Sequence, residues 1–101
     1  MATAETTPSD YGVSQNYPNP FNPSTQIRFA LPSGGKVLLV VYDMLGREIV
    51  TLARGFHAAG YHTATWNASS VASGVYFARL TVTDELGQVK FNRTRKLVLA
   101  K

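Results

Sequence analysis

Gln15-Asn16-Tyr17-Pro18-Asn19-Pro20-Phe21-Asn22-Pro23-Ser24-Thr25 packs three prolines, three asparagines and two aromatic residues into one short stretch. Each proline fixes its own φ and pushes the residue before it towards extended conformations. Helix is therefore excluded, and the stretch should run as an extended or polyproline-like ribbon broken by turns. Asn19 and Asn22 each precede a proline, where a short amide side chain can bond backbone groups that no ladder satisfies. Tyr17 and Phe21 are expected to clamp the ribbon onto a core. A stiff, aromatic-anchored lead of this kind belongs in front of a β-domain.

Downstream, the periodicity is that of strands. In Ser24–Leu31, Ile27, Phe29 and Leu31 alternate with Gln26 and Arg28, the pattern of a half-buried strand. Pro32 and Ser33-Gly34-Gly35 stop it. Lys36–Asp43 places Val37, Leu39 and Val41 on one face and Leu38, Val40 and Tyr42 on the other. Such a strand is either covered on both sides or exposes a patch that meets a partner, and a weak dimer through Leu38 and Val40 is one expectation. Asp43-Met44-Leu45-Gly46 is a tight turn, and Arg47–Leu52 returns as a hairpin strand. Residues 54–60 read as a loop with glycine near both ends. Tyr61–Asn67 alternates again, with His62, Ala64 and Trp66 on one face and Trp66 as a core anchor. Residues 68–74 form a small-residue loop, followed by a strand over Val75–Thr83 and a turn at Asp84–Gly87. Val89–Thr94 pairs back, and Arg95–Ala100 forms a further extended segment. The pattern predicts an all-β fold, an immunoglobulin-like antiparallel β-sandwich of about seven strands.

Composition agrees. The chain has 101 residues, enough for one domain, and its hydrophobic content of 45% against 16% charge is that of a globular protein. Residues 1–12 read as a linker or expression remnant and 13–101 as the domain. The start has neither a basic n-region nor an apolar stretch and so does not read as a signal peptide. The apolar run Val37–Tyr42 is far too short to span a bilayer. There is no cysteine, which excludes disulfides, thiolate metal sites and a cysteine nucleophile.

Net charge is +4, and Lys90, Arg93, Arg95, Lys96 and Lys101 crowd the last stretch, which holds no acid. Without interleaved exposed aromatics this reads as a solvated strand face or a protected edge; nucleic acid is not expected as a partner. No nucleophile elbow, metal-ligand spacing or phosphate loop is present, so no catalytic residue, metal or cofactor is expected. His62, beside Trp66 on its strand face, reads as a hydrogen-bonded structural histidine. Carbohydrate binding on an aromatic platform is the fairer rival among binding functions.

Several pieces then fall in one order. Tyr17-Pro18-Asn19-Pro20-Phe21-Asn22-Pro23 is followed by Ile27-Arg28-Phe29, by Tyr42-Asp43 with Gly46-Arg47, by Gly60 and Trp66, by Gly74-Val75-Tyr76, and by Arg95-Lys96-Leu97-Val98-Leu99. This set resembles the type A C-terminal sorting domain of the type IX secretion system of Bacteroidetes and related bacteria. It is also similar to the immunoglobulin-like module of flagellar hook-capping proteins. The resemblance implies a non-catalytic signal that carries an upstream cargo from the periplasm across the outer membrane, to be secreted or held at the cell surface. It implies the outer-membrane secretion machinery and a sortase-like peptidase as partners, cleavage in the linker around residues 1–14, and a surface anchor in place of the domain. By position, Arg95, Lys96, Leu97, Val98, Leu99 and Lys101 would be the recognition element, offering charge and unpaired backbone for strand addition. The alternative is an immunoglobulin-like structural or carbohydrate-binding module of a multidomain protein.

Overall fold

The computed structural model describes residues 7–101 and, among them, contains strands and no helix. One antiparallel sheet is built from β1 (Gly12–Val13), β2 (Ser24–Leu31) and β5 (Gly60–Asn67), in the order β1-β2-β5. The other is built from β3 (Gly35–Tyr42), β4 (Glu48–His57), β6 (Gly74–Thr83) and β7 (Val89–Leu99), in the order β4-β3-β6-β7. These are the two layers of the expected sandwich.

Period-two alternation decides which side chains meet between the layers. Ile27, Phe29 and Leu31 of β2, Val37, Leu39 and Val41 of β3, Ala78, Leu80 and Val82 of β6, and Leu97 and Leu99 of β7 are all buried in one cluster with Trp66. Burying each of the larger aliphatic side chains stabilises the fold by about 1.5–3 kcal/mol relative to leaving it in water. Asn16 and Thr25 are the buried polar residues, and among the described residues no buried side-chain nitrogen or oxygen lacks a partner.

The structure departs from the sequence expectations in several places. β4 does not stop at Leu52. It continues to His57, so Ala58 and Ala59 alone separate it from β5. Register shifts along β3–β4 and Gly55, at φ 103°, let the strand absorb residues that a regular ladder could not place. Val89–Thr94 and Arg95–Ala100 are likewise not two segments, because β7 pairs with β6 from Val89 to Leu99 with a single shift near Thr83. Part of the stretch expected as a linker over residues 1–12 packs on the domain. Residues 1–6 lie outside the described residues, but Pro8 is buried, Tyr11 stacks on Phe91 at 5.7 Å, and Gly12 pairs with Ala30.

The two-sided apolar pattern of β3 has an internal explanation. Val40 is only 3% exposed, lying between Thr51 and Arg79 in register. Its neighbours in the same chain cover it, so it has no surface to give to the expected dimer. Leu38, its companion in that expectation, is 38% exposed between Arg54 and Thr81.

Candidate recognition site

The Gln15–Thr25 ribbon is held by its amides more than by its rings. Asn16 Nδ2 donates to Pro18 O at 3.1 Å and to Thr25 Oγ1 at 3.0 Å. Thr25 Oγ1 donates to the same Pro18 O at 2.8 Å. Gln15 Nε2 donates to Asn16 Oδ1 at 2.7 Å and to Lys96 O at 2.6 Å. Burial makes this network consequential, since a buried polar group left without its partner costs about 1–3 kcal/mol. The peptide bonds before Pro18, Pro20 and Pro23 are cis.

Of the two expected aromatic clamps, one is correct. Phe21 is 2% exposed, whereas the Tyr17 ring is 81% exposed. Tyr17 is fixed through its backbone instead, exchanging N–H···O bonds of 2.9 Å with Gln26. The alternation of the ribbon is broken by its prolines, so spacing in sequence does not say which ring points inward.

Phe21 leads into the aromatic centre of the sandwich. Its ring lies 5.5 Å from Trp66, and Trp66 lies 5.3 Å from Tyr76 in an edge-on arrangement. Tyr76 Oη donates to Ala72 O at 2.5 Å, which satisfies its hydroxyl at the core boundary. Ribbon, β5 and β6 are thereby joined, and three widely separated motif residues meet at one point.

The same ribbon covers the terminal strand. Asn19 Oδ1 accepts from Val98 N at 3.1 Å. Phe21 N donates to Val98 O, and Ala100 N donates to Phe21 O, both at 3.0 Å. With Gln15 on Lys96 O, the outward backbone of β7 is occupied from Lys96 O to Ala100 N. The expectation of unpaired backbone there is overturned. Arg95 Nε adds a further tie, donating to Val13 O at 2.9 Å.

A family model described as secretion system C-terminal sorting domain matches residues 15–98. The chain belongs to this family. Comparison with curated proteins gives no significant match.

In the sorting domain, the six residues expected to be recognised divide by face. Leu97 and Leu99 are core residues and are not presented to a partner while the domain is folded. Lys96 and Lys101 are exposed, and Arg95 and Val98 are half-buried. Lys101 is already engaged, with its backbone N donating to Ser73 Oγ at 2.9 Å, and its Nζ donating to Ser69 O at 2.9 Å and to Val71 O.

Lys96 belongs to a larger cationic surface that the linear pattern did not reveal. Register aligns Glu48, Tyr42, Phe77 and Lys96 in one row across the outer face of the four-stranded sheet. The next rows bring Arg79 and Arg54 to that face, and Lys36 lies beyond them. Arg79 lies over the Tyr42 ring at 5.1 Å and its Nη2 donates to Tyr42 Oη at 3.0 Å. Each of these cations occupies the outward slot of its own strand. That is the only trace of the surface in the sequence.

The motif turn at Asp43–Arg47 serves the frame. Asp43 Oδ1 accepts from the backbone N of Leu45 and of Arg47, each at 2.9 Å, and Asp43 Oδ2 lies 2.8 Å from Arg47 Nε. Gly46 supplies the φ of 82° that closes the turn. Asp84-Glu85-Leu86-Gly87 repeats it at the other end of the sheet, with Leu86 N and Gln88 N on Asp84 Oδ1 at 2.9 Å. These donors hold both carboxyls below the ordinary aspartate value, the Arg47 and Gln88 amides contributing most.

Among the histidines, His62 has Nε2 2.8 Å from Ala58 O and His57 has Nδ1 3.0 Å from Gly55 O. Their rings pack against Phe29, which is the structural use foreseen for His62. Gly60, Gly74 and Val75 sit at strand ends, Gly60 opposite Leu31 and Gly74-Val75 opposite Leu99 and Val98.

Proposed function

We propose that this sorting domain is the export tag of a larger secreted protein, and that the type IX outer-membrane machinery reads it as a folded unit at its terminal segment. The family match over residues 15–98 carries this reading. The covering of β7 by the ribbon supports it, because a translocon serving unrelated cargoes needs a signal held in one conformation. Leu97 and Leu99 set the position of the segment from inside. Lys96 and Val98 are the groups left for a receptor, flanked by Arg95, tied to β1, and by Lys101, tied to residues 69–73. The sortase-like peptidase would cut upstream of Pro8, since Pro8 and Tyr11 are packed on the domain, and a surface anchor would replace the tag. The carbohydrate alternative is weakened by the burial of Trp66 and Tyr76, the rings best suited to a platform.

The test fuses the domain to a periplasmic reporter in a type IX-competent host. Deleting Arg95–Lys101 would remove core leucines and unfold the tag, so the informative variant is Lys96→Glu with Lys101→Glu. Export of the parent fusion, with the variant folded but retained in the periplasm, is the expected result. Retention of the parent fusion would overturn the sorting role for this chain. Normal export of the variant would overturn the terminal segment as the place where it is read.

A further inference from the structure

A sandwich of two open sheets has four edges, and three of them are blocked in this chain. β1 is only 2 residues long. β7 is covered by the ribbon over Lys96–Ala100, and its other half carries Lys90 and Arg93. β4 is interrupted by register shifts and by Gly55, and it carries Glu48 and Arg54. These are the usual devices against strand pairing.

β5 has none of them. Gly60-Tyr-His-Thr-Ala-Thr-Trp-Asn67 contains no Lys, Arg, Asp, Glu or Pro, and it pairs with β2 without a shift. Its pairing phase follows from the bond of 2.8 Å from Ala68 N to Pro23 O. In that phase Gly60, His62, Ala64 and Trp66 direct their backbone groups to β2, while Tyr61, Thr63, Thr65 and Asn67 direct theirs to the open side.

We propose that this edge is a self-association surface at which two copies of the chain pair antiparallel through β5. One two-fold register satisfies every outward group at once. Ala64 lies opposite Ala64 of the second copy, Thr63 opposite Thr65, and Tyr61 opposite Asn67. Outward residues face outward residues as hydrogen-bonded pairs, and the inward and outward faces of the two sheets stay in phase. The residue at the two-fold axis is small, and the flanking threonine pairs suit cross-strand contact. β5 carries no formal charge, so it offers nothing to select an acidic or basic strand and nothing to repel its own copy. Because the other edges are blocked, the pairing closes as an isologous dimer and cannot extend into a fibre. Each copy carries a net charge of +4, so salt strengthens the dimer by screening the approach of two cationic bodies.

Sedimentation equilibrium of the whole chain tests this up to about 1 mM, the affinity expected of a small interface. The parent chain dimerises, more so at higher salt. Thr65→Pro abolishes the dimer; its N–H points away from β2, so no existing ladder bond is lost. Two charge variants make the test specific to the register and guard against misfolding. Thr63→Lys with Thr65→Lys is monomeric, Thr63→Glu with Thr65→Glu is monomeric, and mixing the two restores a dimer, because the substituted positions face one another. A parent chain monomeric throughout the range, a dimer that survives both Thr65→Pro and the double lysine variant, or a mixture that stays monomeric would each overturn the proposal. The sorting assay does not bear on this outcome, and the dimer assay does not bear on sorting.

Discussion

β7 and β5 are both long outer strands of the sandwich, yet one is dressed and the other bare. The outward backbone of β7 is taken up near its end by Gln15, Asn19 and Phe21, residues far away in the chain. Among the described residues, the outward backbone of β5 meets no such cover. The proline-rich ribbon is thus chiefly an edge cover. Proline cannot extend a sheet, so a ribbon of prolines and asparagines can satisfy a neighbour's edge without creating a new one.

The largest expected effect comes from removing the anchor of that cover. Phe21→Ala should cost about 3–5 kcal/mol, since it empties a buried aromatic site beside Trp66, as read by urea unfolding. In hydrogen exchange the Val98 and Ala100 amides should lose protection with it. A loss below about 1 kcal/mol would show that the ribbon merely lies on the sheet. Next in size is Asn16→Ala, which leaves Thr25, Pro18 O and Gln15 short of a partner and should cost about 1–3 kcal/mol by the same measurement. Asn19→Ala should be milder, about 0.5–1.5 kcal/mol, with faster exchange confined to the Val98 amide. Thr63→Ala on the bare strand is the contrast, expected within about 0.5 kcal/mol of the parent.

The smallest effect concerns the paired turns, which join β3 to β4 and β6 to β7 in the four-stranded sheet. Asp43 and Asp84 are depressed below their ordinary value of 3.8. A carboxylate lowered in the folded state stabilises it above the unfolded value, and that contribution disappears as pH falls through the folded one. The melting temperature should therefore drop as pH falls below 3.8, and the slope should flatten in Asp43→Asn with Asp84→Asn. An unchanged slope would assign acid sensitivity to other carboxylates.

Much of this was legible in the chain. Alternation at Ile27-Phe29-Leu31, Val37-Leu39-Val41 and Ala64-Trp66 named the core strands and their inner faces, because a half-buried strand repeats every second residue. The Asp-x-Leu-Gly turns were legible for a similar reason, their bonds being made within five residues. Tyr17 was misplaced because prolines break the alternation that would have oriented it. The length of β4 was missed because Gly55 reads as a loop signal unless its neighbour strand is known. Val40 looked like a docking residue because its cover comes from Thr51 and Arg79, on other strands.

Fold class, turns and family could all be read along the chain, since they rest on local propensity, periodicity and motif order. The neighbours each strand acquires, by contrast, lay the ribbon along β7 and bring Lys36, Arg54, Arg79 and Lys96 to one face. Each of those depends on which strands become neighbours and in what register, a choice made by the summed burial of the two sheets and carried by no single stretch of chain.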